Sequence, residues 1–154
     1  MKMFRVLIAI TFIWSLNACE RPAEQLKRPD YALAIHGGAG AIKAELMSPE
    51  QDSLYRTSLL EALSAGEEIL KAGGSSLDAV TAAITILEDN PLFNAGRGAV
   101  FNANGFIEHD ASIMQGSDRN AGAVGAVRNI KNPILAARQV MEASSHVFLV
   151  REGA

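Results

Sequence analysis

The sequence predicts an α+β fold in which helices and short apolar strands share one domain. Three stretches have apolar residues at helical spacing, and each follows a Ser or Asn that can cap a helix. Apolar runs of strand length lie before, between and after them. A hairpin signal, Asn102 to Gly105, separates two such runs, because Asn and Gly tolerate the positive φ angles of tight turns.

Length and composition limit the classes of protein. The chain has 154 residues, of which 49% are hydrophobic and 20% charged, so one packed domain is expected and disorder is not. The net charge of −3 offers no basic surface for nucleic acid, which excludes that class of partner.

The first eighteen residues have the pattern of a secretory signal peptide. Lys2 and Arg5 precede a short apolar core, and small residues lead to Cys19, the only cysteine. This end resembles the lipobox of bacterial lipoproteins, which implies that Cys19 is lipidated and anchors the protein in the periplasm or cell envelope. The alternative is an unmodified thiol after an ordinary signal peptide. Residues 19–30 then form a tether, and residues 31–154 form the domain.

The helices are predicted from their caps and periodicity. Ser48 and Gln51 form a capping box around Pro49, and Gly73 with Gly74 ends that helix. A second helix opens at Ser75 or Ser76, and its small residues should pack close to a sheet. Asn132 and Pro133 should cap a third. The expected apolar positions are Leu59, Leu60, Leu63, Ile69 and Leu70 in the first helix, and Leu135, Ala136, Val140 and Met141 in the third.

Besides the two runs around the hairpin signal, strands are predicted at 31–36, 120–127 and 146–150, the last of them a buried type. The glycines at 122 and 125 should allow another layer to approach closely. Gly37 to Gly40 follow the first strand, and a tight turn is favoured over a phosphate loop because no Gly-Lys-Ser/Thr follows. His36 has no partner at metal-ligand spacing, which favours a hydrogen-bonded structural histidine.

Taken together, these motifs resemble the N-terminal part of the plant-type asparaginase and isoaspartyl peptidase family. The resemblance runs over roughly residues 31–153 with order and spacing kept. Its carriers are Ala34-Ile-His-Gly-Gly-Ala-Gly-Ala-Ile42, Leu77-Asp-Ala-Val80, Leu87-Glu88, Asn90-Pro-Leu-Phe-Asn-Ala-Gly-Arg-Gly-Ala-Val-Phe101, Asp110-Ala-Ser-Ile-Met114, Asn120-Ala-Gly-Ala-Val124 and Asn132-Pro-Ile-Leu-Ala-Ala-Arg138.

The resemblance implies a four-layer αββα sandwich of the N-terminal-nucleophile hydrolase type. Such precursors cut themselves before a Thr, which becomes the nucleophile of a second, beta subunit. The expected substrates are β-aspartyl dipeptides and asparagine, without a catalytic cofactor, and the expected assembly is a dimer of alpha-beta pairs. The new α-amine titrates near neutrality and can act as the base for the Thr hydroxyl.

The nucleophile itself is absent from this sequence. The threonines are Thr11, Thr57, Thr81 and Thr85, and none follows a Gly as the family's Gly-Thr-Val-Gly site requires. We therefore expect no catalytic residue in this chain, an incomplete sandwich, and no activity from the chain alone. The alternative is an inactive remnant or a lipoprotein module for binding or assembly.

Two supporting sites carry over by resemblance. Asn94 matches the family Asn beside the nucleophile, and its alternative is a turn residue that satisfies its own backbone. A loop of main-chain carbonyls resembles one that holds a structural sodium ion, and its members here are Leu87, Glu88, Asn90, Phe93, Ala95 and Arg97.

His109, Asp110 and Ser112 superficially suggest a hydrolytic triad. In an alternating strand, however, His109 and Asp110 point to opposite faces, which argues against that interpretation. Asp110 and Ser112 share a face, and hydrogen bonds within the fold are the preferred role for both.

Overall fold

The computed structural model describes residues 30–38 and 46–154. Its helices are α1 (Pro49–Lys71), α2 (Ser76–Asp89) and α3 (Pro133–Ala143), and its strands are β1 (His109–Met114), β2 (Ala121–Val127) and β3 (Phe148–Val150). Short 3-10 helices lie at Gly96–Gly98 and Arg151–Gly153. The predicted mixture of helices and strands is confirmed. The proposed signal peptide, tether and Cys19 lie outside the described residues.

The caps of α1 and α2 are local and follow the prediction. Ser48 Oγ accepts the Gln51 N–H at 3.2 Å, and Gln51 Oε1 accepts the Ser48 N–H at 3.1 Å. Ser75 is the N-cap of α2, with its hydroxyl accepting the Asp78 N–H at 3.1 Å. Gly73, at φ 79°, provides the left-handed residue that follows α1.

Helices α1 and α2 contact each other through small residues. The buried residues of α1 are Ser58, Ala62 and Gly66, whereas Leu60 is 62% exposed, so its prediction as a core residue is wrong. A Cβ added to Gly66 would lie 3.0 Å from the Ala79 carbonyl of α2. The small face of α2 therefore packs on α1, and only its larger apolar residues reach the cluster at the sheet.

The three strands form one mixed sheet in the order β1-β2-β3. β1 and β2 are antiparallel, and β2 and β3 are parallel. The register shifts between His109 and Ala111, where β2 holds one extra residue. Ala126 has φ 50° at this bulge, and Asp110 Oδ1 accepts its N–H at 2.8 Å. The Asp110 carboxylate thus stabilises a left-handed backbone position.

Helix α3 covers one face of the sheet. A Cβ on Gly122 would collide with the backbone of Ala137 and Met141, so the close approach predicted from the glycines of β2 is confirmed at this position. The buried apolar cluster between α3 and the sheet comprises Ile113, Val124, Val127, Ile134, Ala137, Val140 and Met141. Leu135 is 48% exposed, which contradicts its predicted place on the apolar side of α3.

Two strand predictions need correction. Residues 31–36 form no strand within the described residues, although their burial alternates, because an extended segment becomes a strand only when a neighbour pairs with it. The last strand is limited to Phe148–Val150, and Phe148 and Val150 are about half exposed, so it is not a buried type. The hairpin turn at 102–105 is confirmed, but its flanks form only the bridge between Phe101 and Ile107.

Candidate functional site

One cavity, termed the main cavity below, lies where three segments that are distant in sequence meet. Its volume is about 600 Å³. The Gly-rich segment, the end of α2 with the following turn, and strand β1 all contribute to its wall. The residues that the motifs single out among its lining are His36, Gly37, Gly38, Glu88, Asn94, Asp110 and Ser112.

The Gly-rich segment brings its backbone close to the rest of the domain. A Cβ on Gly37 would lie 3.0 Å from the Leu59 side chain, so the backbone here comes close to α1. The second half of the predicted turn, from residue 39 onward, lies outside the described residues. Gly38 has φ 112°, a conformation that L residues rarely adopt. Its N–H donates to His36 Nδ1 at 3.1 Å, so the prediction of a hydrogen-bonded histidine is confirmed.

Asn94 lies in the turn that follows α2. Its Oδ1 accepts the Val100 N–H at 3.0 Å and closes the loop from 94 to 100. Its side-chain NH₂ makes no hydrogen bond to any described residue, and the residue lines the cavity. The Asn94 oxygen therefore has the turn role that was the alternative. The NH₂ group is left for the predicted role beside the nucleophile.

The possible triad does not form. Ser112 lines the main cavity with Asp110, whereas His109 is absent from that lining and lies with Asp89 and Lys131 in a separate cavity. Asp110 hydrogen-bonds within the fold, as preferred, through its contact with the Ala126 N–H. The Ser112 hydroxyl makes no hydrogen bond to a described residue, so the expectation for Ser112 is wrong; the residue is exposed on β1.

The predicted sodium site would use main-chain carbonyl oxygens as its ligands. The carbonyls of Leu87, Asn90, Phe93 and Ala95 each accept one turn hydrogen bond and retain a second lone pair. A Cβ on Gly96 would collide with the Glu88 carbonyl, and one on Gly98 with the Phe93 carbonyl. The glycines thus make the space that these oxygens occupy. Carbonyl oxygens are a ligand type that hard cations take, and the sodium site stays a prediction.

Glu88 has a side-chain role that sequence reasoning missed. The residue is 3% exposed, and its Oε1 accepts the Ile134 N–H at the start of α3 at 2.9 Å. Asn132, expected to cap α3, makes no side-chain cap and instead donates to Asp89 Oδ1 at 3.1 Å. Glu88 is 46 positions from Ile134, so no local pattern could have indicated this contact.

The two neighbouring carboxyl groups have opposite electrostatic environments. Burial raises the pKa of Glu88, because its charged form loses hydration. The Lys131 ammonium, 2.9 Å from Asp89 Oδ2, lowers the pKa of Asp89, and Asn132 contributes in the same direction. Within the described part of the chain, no cluster of three or more His, Cys, Asp or Glu side chains could hold a metal ion. None of the helices described there is long and apolar enough to cross a membrane.

Comparison with known proteins decides the family. The sequence profile described as Asparaginase matches residues 29–154, which include every cavity residue named above. The chain belongs to this asparaginase and isoaspartyl peptidase family. It is 52% identical over 122 residues to the isoaspartyl peptidase of Salmonella typhimurium and 51% identical over 122 residues to the isoaspartyl peptidase/L-asparaginase of Mus musculus. It is 50% identical over 123 residues to the plant-type L-asparaginase of Pyrococcus abyssi.

These matches cover most of this chain and a smaller part of each relative. The aligned residues make up 79% or 80% of this chain. They span 39% of the Salmonella protein, 36% of the mouse protein and 39% of the Pyrococcus protein. The Gly-rich segment, the Asn94 turn and β1 all lie within the part that matches the family. The chain therefore spans well under half the length of these relatives.

Proposed function

We propose that this chain is the N-terminal portion of a threonine-type hydrolase that releases aspartate from β-aspartyl peptides or asparagine. The observation that carries the proposal is the convergence of three family motifs on one cavity of about 600 Å³. Relatives about 50% identical to this chain are named isoaspartyl peptidases or asparaginases, which supports the substrate class. The nucleophilic Thr would come from a beta subunit that completes the αββα sandwich.

In the proposed reaction the Thr hydroxyl attacks the side-chain amide carbonyl of the substrate. The Thr α-amine takes the hydroxyl proton, a Thr–acyl ester forms, and the C–N bond breaks as the leaving amine or ammonia receives a proton. Water then hydrolyses the ester to release aspartate. This chain contributes Asn94, whose NH₂ can donate to a group beside the nucleophile while its oxygen stays bound to Val100.

The test compares this chain alone with this chain plus the segment that carries the Thr. Sequencing the source DNA past the Ala154 codon, in all frames, should reveal a Gly-Thr-Val-Gly segment. Co-expression with that segment should give hydrolysis of a β-aspartyl dipeptide, and the chain alone should be silent. Hydrolysis by the chain alone would contradict the proposal, as would a silent assembly whose Thr segment has been released by cleavage.

The sodium loop has only a structural part in this proposal. Carbonyls at 87, 88, 90, 93, 95 and 97 would hold the ion and stiffen the turn that carries Asn94, without joining the chemistry. Unfolding in sodium chloride should then occur at a higher temperature than in choline chloride at equal ionic strength. Equal midpoints would remove the ion from the proposal.

A second candidate is a non-enzymatic module for binding or assembly, or an inactive remnant. The exposed apolar strand β3 argues against this candidate, because an uncovered strand favours aggregation or a partner. A chain that remains monomeric and unfolds cooperatively, with no Thr segment encoded nearby, would support this candidate over the hydrolase.

We also propose that the protein is exported and lipid-anchored at Cys19, on the basis of the sequence pattern at its start. The chain expressed from Met1 should fractionate with membranes and incorporate labelled palmitate. A Cys19→Ala variant should lose both properties. Equal fractionation of the two forms would contradict the anchor.

A further inference from the structure

Glu88 contacts three separate parts of the candidate site. It lines the main cavity, its carboxylate binds the first turn of α3, and its backbone lies against Gly96 in the turn that carries Asn94. We propose that Glu88 is a positioning residue, whose side chain holds the Asn94 turn in place at the cavity through its hydrogen bond to α3. The relevance of that position to catalysis rests on the proposed function.

The start of α3 depends on Glu88 for its cap. Pro133 has no N–H, and the Asn132 side chain is turned to Asp89, so neither residue closes the helix end. Ile134 has the first helical N–H, and Glu88 Oε1 accepts it in a buried setting. A buried N–H without an acceptor is costly, and this bond therefore fixes the end of α2 to the start of α3.

The same residue fixes the following turn from the other side. The Glu88 carbonyl and Cβ lie so close to Gly96 that no side chain fits there. A Cβ added to Gly96 would lie 2.8 Å from the Glu88 Cβ. Gly96 is two residues after Asn94, whose oxygen holds the Val100 N–H. A shift of the Glu88 side chain away from α3 would therefore move Gly96 and, with it, Asn94.

Only one of the two carboxylate oxygens of Glu88 makes the hydrogen bond to α3. Glu88 Oε2 is buried and has no hydrogen-bond partner among the described residues. The contact that joins the elements is made by Oε1 alone, and a Gln keeps that acceptor. Glu88→Gln is thus the conservative rescue, and Glu88→Met is the variant of similar size that lacks the acceptor.

The experiment compares these variants in the 154-residue chain by NMR and hydrogen exchange. Glu88→Met should move the Asn94 side-chain and Val100 amide signals and speed exchange at Ile134 by about tenfold or more. Glu88→Gln should keep exchange within about twofold of the original. Val140→Ala, a buried change elsewhere on α3, should lower the unfolding midpoint without moving the Asn94 signals. Unmoved Asn94 signals in Glu88→Met, or equal effects in Met and Gln, would overturn the proposal.

A measurement on the unaltered chain covers the case in which Glu88→Met does not fold. Native-state exchange should show the Ile134 and Val100 amides opening together, with the same dependence on denaturant. Independent opening of the two amides would overturn the proposal. These readouts involve no substrate, so a failed hydrolysis assay would contradict the proposed function and leave this result standing.

Discussion

Gly122 lies on β2 where the backbone of α3 crosses it, and this contact leaves no space for a side chain. We predict that Gly122→Ala lowers the free energy of unfolding by about 1–3 kcal/mol or more, because helix and sheet must separate to admit the methyl group. Gly116, with nothing within 4 Å of its Cβ position, is the matched control, and Gly116→Ala should change stability by about 0.5 kcal/mol or less. Denaturant unfolding measures both, and equal stabilities would contradict the close contact.

Asn94 permits a test that separates its two roles. Asn94→Ala removes the acceptor of the Val100 N–H and should cost about 1 kcal/mol of stability, whereas Asn94→Asp keeps an acceptor and should be close to neutral. In the proposed assembled hydrolase, Asn94→Asp lacks the NH₂ donor, and activity should fall about tenfold or more. Full activity in Asn94→Asp would leave the residue only its turn role.

At the scale of elements, an ion pair joins α2 to α3: Asp78 lies in the first turn of α2, and Arg138 lies in the middle of α3. Arg138 of α3 lies 2.8 Å from Asp78 Oδ1 of α2, and the Ser75 hydroxyl donates to the other Asp78 oxygen at 2.7 Å. These contacts, Ser75 first and then Arg138, lower the pKa of Asp78 in the folded chain. The ion pair therefore stabilises α2 against α3 above the unfolded pKa of about 3.9.

The expected pH dependence follows from that direction. The folded state holds the Asp78 proton less tightly than the unfolded chain, so stability is lost as pH falls through the lowered pKa. Asp78→Asn should be less stable near neutrality and should lose less stability on acidification than the original chain. Glu61→Gln, a change on α1 for which no ion pair is present among the described residues, is the control. Parallel acid profiles for the original chain and Asp78→Asn would contradict the linkage.

Local patterns explain which elements were predictable from the sequence. The capping box at Ser48 and Gln51 and the cap at Ser75 depend on residues three apart, and both were found. The cap of α3 comes from Glu88, 46 positions away, and was missed. Helical periodicity predicts Leu60 inside, yet the α1–α2 contact selects smaller residues that let the backbones approach. No periodicity of large apolar residues reveals such a face.

The candidate site shows the same division. The Gly-rich segment and Asn94 were found because short motifs define them, and the structure places them at one cavity. The opposite placement of His109 and Ser112 followed from strand alternation. The bulge that makes Asp110 accept the Ala126 N–H depends on pairing between β1 and β2, and the sequence of either strand alone contains no signal for it.

On the scale of the whole molecule, the described helices cover one face of the sheet and leave the other open. Alternation and register place Ser112, Met114, Phe148 and Val150 on the open face, and three of these four side chains are large and apolar. Met114 is 61% exposed and Phe148 55%. We propose that the beta subunit would complete an αββα sandwich whose second sheet covers this face, so we expect its binding to raise the stability of this chain.

This open face predicts self-association of the chain when it is alone. No described strand pairs with the outer edge of β3, and an unpaired edge beside exposed apolar side chains favours contact with another copy. Sedimentation velocity should show dimers or larger species, and Val150→Lys should shift them to monomer. Leu60→Lys adds the same charge at an equally apolar, exposed position on α1 and should leave association unchanged, because α1 has no open edge. Association reduced equally by both lysines would mean that net charge, rather than the β3 edge, governs contact between copies.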